Sequence, residues 1–372
     1  MMQRFKKSLL FVLFGCTLLF QNAASAKEVD WNSALHLSDL EEYLQFIREC
    51  NEDLQSEFAV VFDDMKVDED HLFSISPIYG ATIKVVKYDG RDSYVTGHIT
   101  HSPGERVAYA YLNDDTSFLN DEELHLYNEA VRIVDKADAQ STLLQTELYI
   151  HDLLANRITY DSMTPIPHNA PFIGANGAIL NGKANCQGYT DAFVMLARMC
   201  GIDASKISGR TKTGSHSWAV VYLDDSSYFV DVTFDDDAFN LNDTDYIGHI
   251  YFNAPRSVIS GDHFWDPAAE PPDLQEYPDE NYYYTTSEHA LTGGKYFGMY
   301  ASTAEEAFEK IADNTLRWKL SYVMCPYDED YMDSHFSNSY LLNNVMPYDG
   351  WISSMDVTHC GEYMFFTTYI HH

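Results

Sequence analysis

The chain has 372 residues, carries a formal net charge of −34 and is 45% hydrophobic. That is enough apolar material for a sizeable core in two or three domains, which excludes a disordered or fibrous chain. So acidic a surface repels nucleic acid and anionic lipid, leaving basic peptides, amines or calcium as the charges it would attract and plain solubility outside a cell as the simpler reading.

Residues 1–26 read as a secretion signal. Arg4, Lys6 and Lys7 precede an apolar run from Leu9 to Phe20, and Ala24, Ser25 and Ala26 follow in the small-x-small pattern of a cleavage site near Ala26. The run falls short of the roughly 20 residues that cross a bilayer, so a secreted or cell-surface mature chain without membrane insertion is expected. Cys16 after LFG resembles a lipoprotein box, but the bulky Phe14 and the continuing apolar run favour cleavage after Ala26. Removing the three signal cations takes the charge from −34 to −37. Five cysteines then remain, Cys50, Cys186, Cys200, Cys325 and Cys360. An odd count leaves at least one free thiol, for which Cys186 is the candidate, while Cys325 and Cys360 could pair.

Ser38 and Glu41 read as a capping box, opening a helix with Leu40, Tyr43, Leu44 and Ile47 on one face. Strands are expected over 58–62, 81–88, 94–100 and 106–112. Helices over about 121–135 and 143–157 lead toward Cys186. Acid and proline cluster in DPAAEPPDLQEYPDE (266–280), the strongest linker signal. Beyond it, Ser302 and Glu305 repeat the capping box, with Ala307, Phe308 and Ile311 along a helix and a strand from Lys319. The recurrence suggests two related small α+β units flanking the middle. The expected division is signal 1–26, N-terminal α+β unit 27–118, central domain 119–266, linker 267–280 and C-terminal α+β unit 281–372.

The string NCQGYTDAFVML (185–196) places Cys186 in the first turn of an amphipathic helix that stops at Gly201. There the unpaired N–H groups and the positive end of the helix dipole favour a thiolate. Gly182 and Gly188 permit close backbone approach on either side. A free cysteine is more often a small buried apolar residue, but polar Asn185 and Gln187 flank this one, and His216 and Asp231 follow on two strands of a hairpin. With Asp224 and Asp225 as a two-residue turn, opposed positions sum to 449. His216 and Asp231 are then diagonal neighbours on one face, roughly 5.5 to 8 Å apart at the backbone. Asp231 can hold the imidazole while His216 takes the thiol proton.

These residues resemble the transglutaminase-like superfamily, whose core is a papain-like cysteine-enzyme fold, and in particular its secreted bacterial members. The resemblance rests on IHDLLANRITYD (150–161), GAILNGKANCQGYTDAF (177–193), HSW (216–218), VDVTFDD (230–236) and YFNAPRSVISGDHFWD (251–266), and covers roughly residues 120–266. It implies an α+β fold, with Cys186 as nucleophile, His216 as general base and acid, Asp231 as orienting acid, a peptide or protein amide as substrate, and no cofactor. Members often carry Asn after the Trp of the histidine strand, where this chain has Ala219. The backbone N–H of Cys186 is one oxyanion donor, and Asn181, Gln187 and Tyr160 each offer a second. The family also contains catalytically silent binding proteins, so a surface binding or scaffold role is the alternative.

Other features point to no site. His98 and His101 fall on opposite faces of a strand, which argues against a shared metal. The run 235–237 with Asn240, Asn242, Asp243 and Asp245 lacks EF-hand spacing and reads as a solvated acidic loop. His263 reads as a packing residue, and Tyr282 to Tyr284 as core aromatics or the lining of a groove.

Overall fold

The first and last of three four-stranded sheets in the computed structural model share one topology. The structure describes residues 29, 31–76, 80–162, 174–237, 247–286, 298–318, 320–329 and 354–369. The signal segment with Cys16, and the acidic positions Asn240, Asn242, Asp243 and Asp245, lie outside them. In the first sheet, β1 (Leu35–Leu37) runs parallel to β2 (Glu57–Phe62), joined by α1 (Leu40–Glu52). After α2 (Glu69–Ile75), β3 (Ala81–Tyr88) and β4 (Ser93–Ile99) complete the order β1-β2-β4-β3, both new contacts being antiparallel. Burial alternates residue by residue along β4, as one covered face requires.

The central part begins with a correction. Residues 106–112, expected as a strand, lie in the helix α3 (Pro103–Asn113). Ser102 and Glu105 form a full capping box ahead of Pro103 in the first turn, and Val107, Ala108 and Ala110 are buried along the helix. That local signal outweighs the alternation of Val107, Tyr109 and Tyr111. Then come α4 (Asp121–Ala137), α5 (Leu143–Arg157), the short parallel pair β5 (Thr159–Tyr160) and β6 (Lys183–Ala184), and α6 (Cys186–Met199). The second sheet has the order β10-β7-β8-β9, from β7 (Asp203–Thr211), β8 (Gly214–Leu223), β9 (Ser226–Val230) and β10 (Phe264–Trp265), with α7 (Val232–Asp237) and α8 (Arg256–Ile259) between the last two in sequence.

Residue alternation divides this sheet between two cores. Ala219, Val221 and Val230 join α3 to α6, whereas Trp218, Val220 and Phe229 join the core shared with both flanking sheets. Asp191 fastens α6 to its neighbours by accepting from Gly104 N at 3.1 Å and Ala175 N at 2.8 Å. A Cβ at Gly104 would stand 2.8 Å from that carboxylate, so the approach requires glycine.

In the third sheet β11 (Gly298–Tyr300) runs parallel to β12 (Leu320–Pro326) across α9 (Ala304–Trp318), and the hairpin β13 (Ser354–Cys360) and β14 (Tyr363–Tyr369) completes the order β11-β12-β14-β13. Order and directions repeat those of the first sheet. The caps match as well: Asp39 with Glu42, and Thr303 with Glu306, each one residue later than the sequence spacing suggested.

Two readings left open by the sequence are decided here. Cys325 and Cys360 cannot pair, because β14 lies between their strands and their side chains enter different cores; all five described cysteines are free thiols. Tyr282, Tyr283 and Tyr284 line no groove, since all three are buried in the shared core. Segment 266–280 packs along the sheet, with Ser227 N donating to Asp273 O at 2.9 Å and Tyr228 donating to Asp279 at 2.6 Å. Among the described residues no helix is long and apolar enough to cross a membrane. The fold is α+β.

Candidate active site

Asn185 stands in extended conformation as the cap of α6, its side chain accepting from Gly188 N at 3.2 Å, and Cys186 follows as the first helical residue. The helix is buried along almost its whole length, yet Cys186 stays half-exposed while the other four described cysteines are buried. Burial pushes the thiols of Cys50 and Cys325 up to about 12, which keeps them protonated and inert. Thr190, one turn on, donates toward Cys186 O at 2.8 Å and Ser217 O at 2.9 Å. One hydroxyl thus ties the first turn of α6 to β8 beside His216.

The hairpin has the register set by its Asp224–Asp225 turn: Leu223 faces Ser226 and Ala219 faces Val230. Asp224 takes a positive φ of 53°, a conformation aspartate tolerates in such turns. The ladder ends there. Residues 232–237 turn into α7, and Asp231 sits at the junction. Its two oxygens separate two tasks. Oδ1 accepts from Thr233 N at 3.0 Å and Phe234 N at 3.3 Å, capping α7. Oδ2 accepts from His216 Nε2 at 2.6 Å. The Cys186 thiol adds to the basicity of the same ring, and with Nε2 taken by Asp231 the ring nitrogen left over is Nδ1.

Burial lowers the basicity of His216, but the charge and hydrogen bond of Asp231, with Cys186 adding to them, outweigh it and carry the imidazole up to about 10. Asp231 shows the converse: burial raises it, and the histidines His216 and His263 hold it well below the ordinary carboxylate range. Trp218, stacked 5.8 Å from the His216 ring, and Phe234 at 4.7 Å pack against the imidazole. Of the three oxyanion candidates, Gln187 lies exposed in the first turn of α6, Asn181 lies exposed just before Gly182, and Tyr160 lies on β5 opposite Ala184.

The sequence reading missed part of this neighbourhood. His263 does more than pack, since its Nε2 donates to Asp231 Oδ2 at 3.0 Å and its Nδ1 to Asp262 at 2.6 Å. Asp235 is no solvated loop residue: it is buried, and His151 Nε2 donates to it at 3.1 Å. His151 and His249 both donate to Asp152 Oδ1, at 3.0 and 2.8 Å. The sets His216, Asp231, His263 and His151, Asp152, His249 each bring three potential metal-ligand atoms within 4.8 Å, though hydrogen bonds within each set already account for that convergence. The string IHD at 150–152 was the available signal for the second set; its partners lie about a hundred residues downstream. His98 and His101 bond separately, to Glu57 at 3.2 Å and Asn51 at 3.1 Å.

This is an α+β core in which a thiol at a helix N-terminus meets a histidine strand backed by an aspartate. Residues 106–232 match the family model described as the transglutaminase-like superfamily. Among solved structures the chain is similar to a TGase, at 18% identity and TM-score 0.28 over 54% of this chain and 59% of that one, so it spans less than two thirds of that protein. It is also similar to the periplasmic domain of TgpA from Pseudomonas aeruginosa, at 10% identity and TM-score 0.27 over 48% of this chain and 69% of that one. A third is Legionella pneumophila LapG, EGTA-treated, at 10% identity and TM-score 0.24 over 46% of this chain and 78% of that one. No curated protein matches.

Proposed function

We propose that this chain is a secreted cysteine enzyme that transfers or hydrolyses the acyl group of an amide in an extracellular or cell-wall peptide, with Cys186 as nucleophile, His216 as general base and acid, and Asp231 as orienting acid. The observation that carries the reading is the 2.6 Å bond from His216 Nε2 to Asp231 Oδ2, which leaves Nδ1 for a thiol at a helix N-terminus. Secretion rests on the segment 1–26, and the chemistry is assigned to the central unit expected over 119–266, with α3 (Pro103–Asn113) packed into the same core, between an N-terminal unit and a C-terminal unit over 281–372.

In the first half-reaction the Cys186 thiolate attacks the amide carbonyl carbon, and the oxygen takes the negative charge beside the Cys186 backbone N–H. The carbon–nitrogen bond then breaks as His216 gives its proton to the departing nitrogen, releasing ammonia or an amine and leaving a thioester on Cys186. In the second half-reaction water or an amine attacks the thioester while His216 takes a proton from it. The products are a carboxylic acid or a new amide, with the thiolate–imidazolium pair restored.

The test is to incubate the mature protein with glutamine-containing peptides, with and without a fluorescent primary amine, and follow ammonia release and amine incorporation beside Cys186→Ala. Turnover in the wild type and none in a variant with unchanged melting temperature is the expected outcome. Turnover retained in Cys186→Ala overturns the assignment. Peptide capture without turnover in either protein points to a binding role instead.

A further inference from the structure

Asp231 accepts from two imidazoles, and the second leads away from the thiol toward the C-terminal sheet. His263 Nε2 donates at 3.0 Å to the oxygen that His216 meets at 2.6 Å, and His263 Nδ1 donates to Asp262 Oδ1 at 2.6 Å. Asp262 Oδ2 accepts from the Tyr251 hydroxyl at 2.6 Å. The Cys360 thiol lies 3.7 Å from that hydroxyl and 3.2 Å from Val258 O. Cys360 ends β13, and the turn after it is pressed against residues 257–261. Glu362 N donates to Ser257 O at 3.0 Å. A Cβ on Gly361, whose φ is +58°, would stand 1.9 Å from Ser257 O, and one on Gly261 would stand 2.2 Å from Gly361 N. Backbone meets backbone here, two residues before His263.

An imidazole with a carboxylate at each nitrogen donates from both, so it is held as a cation between Asp231 and Asp262. The titratable groups facing it are Asp231, Asp262, His216 with its ring 5.4 Å away and Tyr251 at 5.1 Å, and the aromatic rings of Phe234 and Trp218 pack against it at 4.7 and 5.0 Å. Such a ring fixes the oxygen that orients His216. Its positive charge also offsets part of the negative charge by which Asp231 holds the His216 proton.

We propose that His263 is a positioning residue of the Cys186 site, holding Asp231 from a second direction, and that the β13–β14 turn braces it through Tyr251 and Asp262. The inference rests on reading Cys186, His216 and Asp231 as a nucleophilic triad, and it makes the C-terminal sheet part of the support of that site.

Iodoacetate tests it without a known substrate. An anionic reagent alkylates a thiolate fastest beside an imidazolium, so its rate rises with pH as the pair forms and falls as the imidazolium loses its proton. The rate at Cys186 is measured against pH in the wild type, His263→Ala, His263→Gln and Tyr251→Phe, with thermal melting of each. In His263→Ala the maximum rate is expected to fall about tenfold, equivalent to about 1.4 kcal/mol. His263→Gln, whose amide donates to Asp231 without a charge, is expected to recover most of that rate while the alkaline limb moves up by about one pH unit. Tyr251→Phe is expected to lose about threefold. A purely structural role would lower melting temperatures and leave the limb in place. If the wild type gives the bell-shaped profile and both His263→Gln and Tyr251→Phe reproduce it at the wild-type rate, the proposal is overturned while the triad reading stands. A wild type with no such profile overturns both. Should His263→Ala fail to fold, the Gln and Phe variants decide the matter.

Discussion

Asp231 and Asp235 lie one turn apart at α7, and each receives a hydrogen bond from a buried histidine, yet only the first belongs to a set that faces a thiol. Around Asp231 the set is His216, His263 and the half-exposed Cys186. Around Asp235 it is His151, with Asp152 and His249 beyond, in surroundings where His151 and Asp235 are fully buried and His249 stacks 4.0 Å from Tyr283. The residue types are nearly the same. What separates the two sets is the neighbour at the open end: a thiol on a helix N-terminus in one case, packed aromatic rings in the other. Composition therefore does not tell the two sets apart, and the approach of α6 to β8 does.

The largest effect that sharpens this contrast concerns the thiol. Native protein is expected to take up one equivalent of iodoacetamide, at Cys186, and Cys186→Ala none on the same timescale; intact-mass spectrometry counts the adducts. Next in size is Asp231→Asn, which removes the carboxylate charge shared by both histidines and is expected to slow alkylation at pH 7 by on the order of 30-fold, since an ordinary thiol is still a few per cent thiolate there. Asp152→Asn, its counterpart in the second set, is expected to leave that rate within about threefold while costing about 1.5–3 kcal/mol of stability in urea unfolding. A large rate loss in Asp152→Asn at unchanged stability would erase the distinction.

The second set also predicts a pH dependence. Burial opposes the charge on His151, but bonds to Asp152 and Asp235 outweigh it and raise the ring to about 9. A histidine raised above its unfolded value contributes stability that is complete below about pH 6.5 and is lost as pH rises through the folded value. Glu147, pushed by burial to about 8, adds a loss of the same sign that begins lower, near the ordinary carboxylate range. Unfolding free energy is thus expected to decline between about pH 6.5 and 9 by on the order of 3 kcal/mol from His151. His151→Gln should remove that share of the decline and leave the shares of Glu147 and His216, as urea titrations across the range would reveal.

Much of this arrangement is legible in the sequence because it depends on near neighbours. Turn residues Asp224 and Asp225 set the hairpin register, and a polar cap before an apolar stripe places Cys186 at the start of α6. The repeated helix-then-strand pattern announces two sheets of one topology. What escaped depends on distant partners or competing local signals. His263 is drawn to Asp231 across 32 residues and Asp235 to His151 across 84, and no period in the sequence encodes such pairs. At 106–112 the alternation suited a strand, and the capping box just ahead of it decided for a helix. Tyr282 to Tyr284 enter the core as one of their two readings had it, but that the core is formed by three sheets no local pattern announces.

The most direct test of the central claim is the rate of iodoacetamide labelling at Cys186 as a function of pH, read by peptide mass spectrometry beside His216→Ala. The account predicts rapid labelling at and below neutral pH, a phase lost in the variant. Labelling that follows an ordinary thiol titration, at the same rate with and without His216, would contradict it.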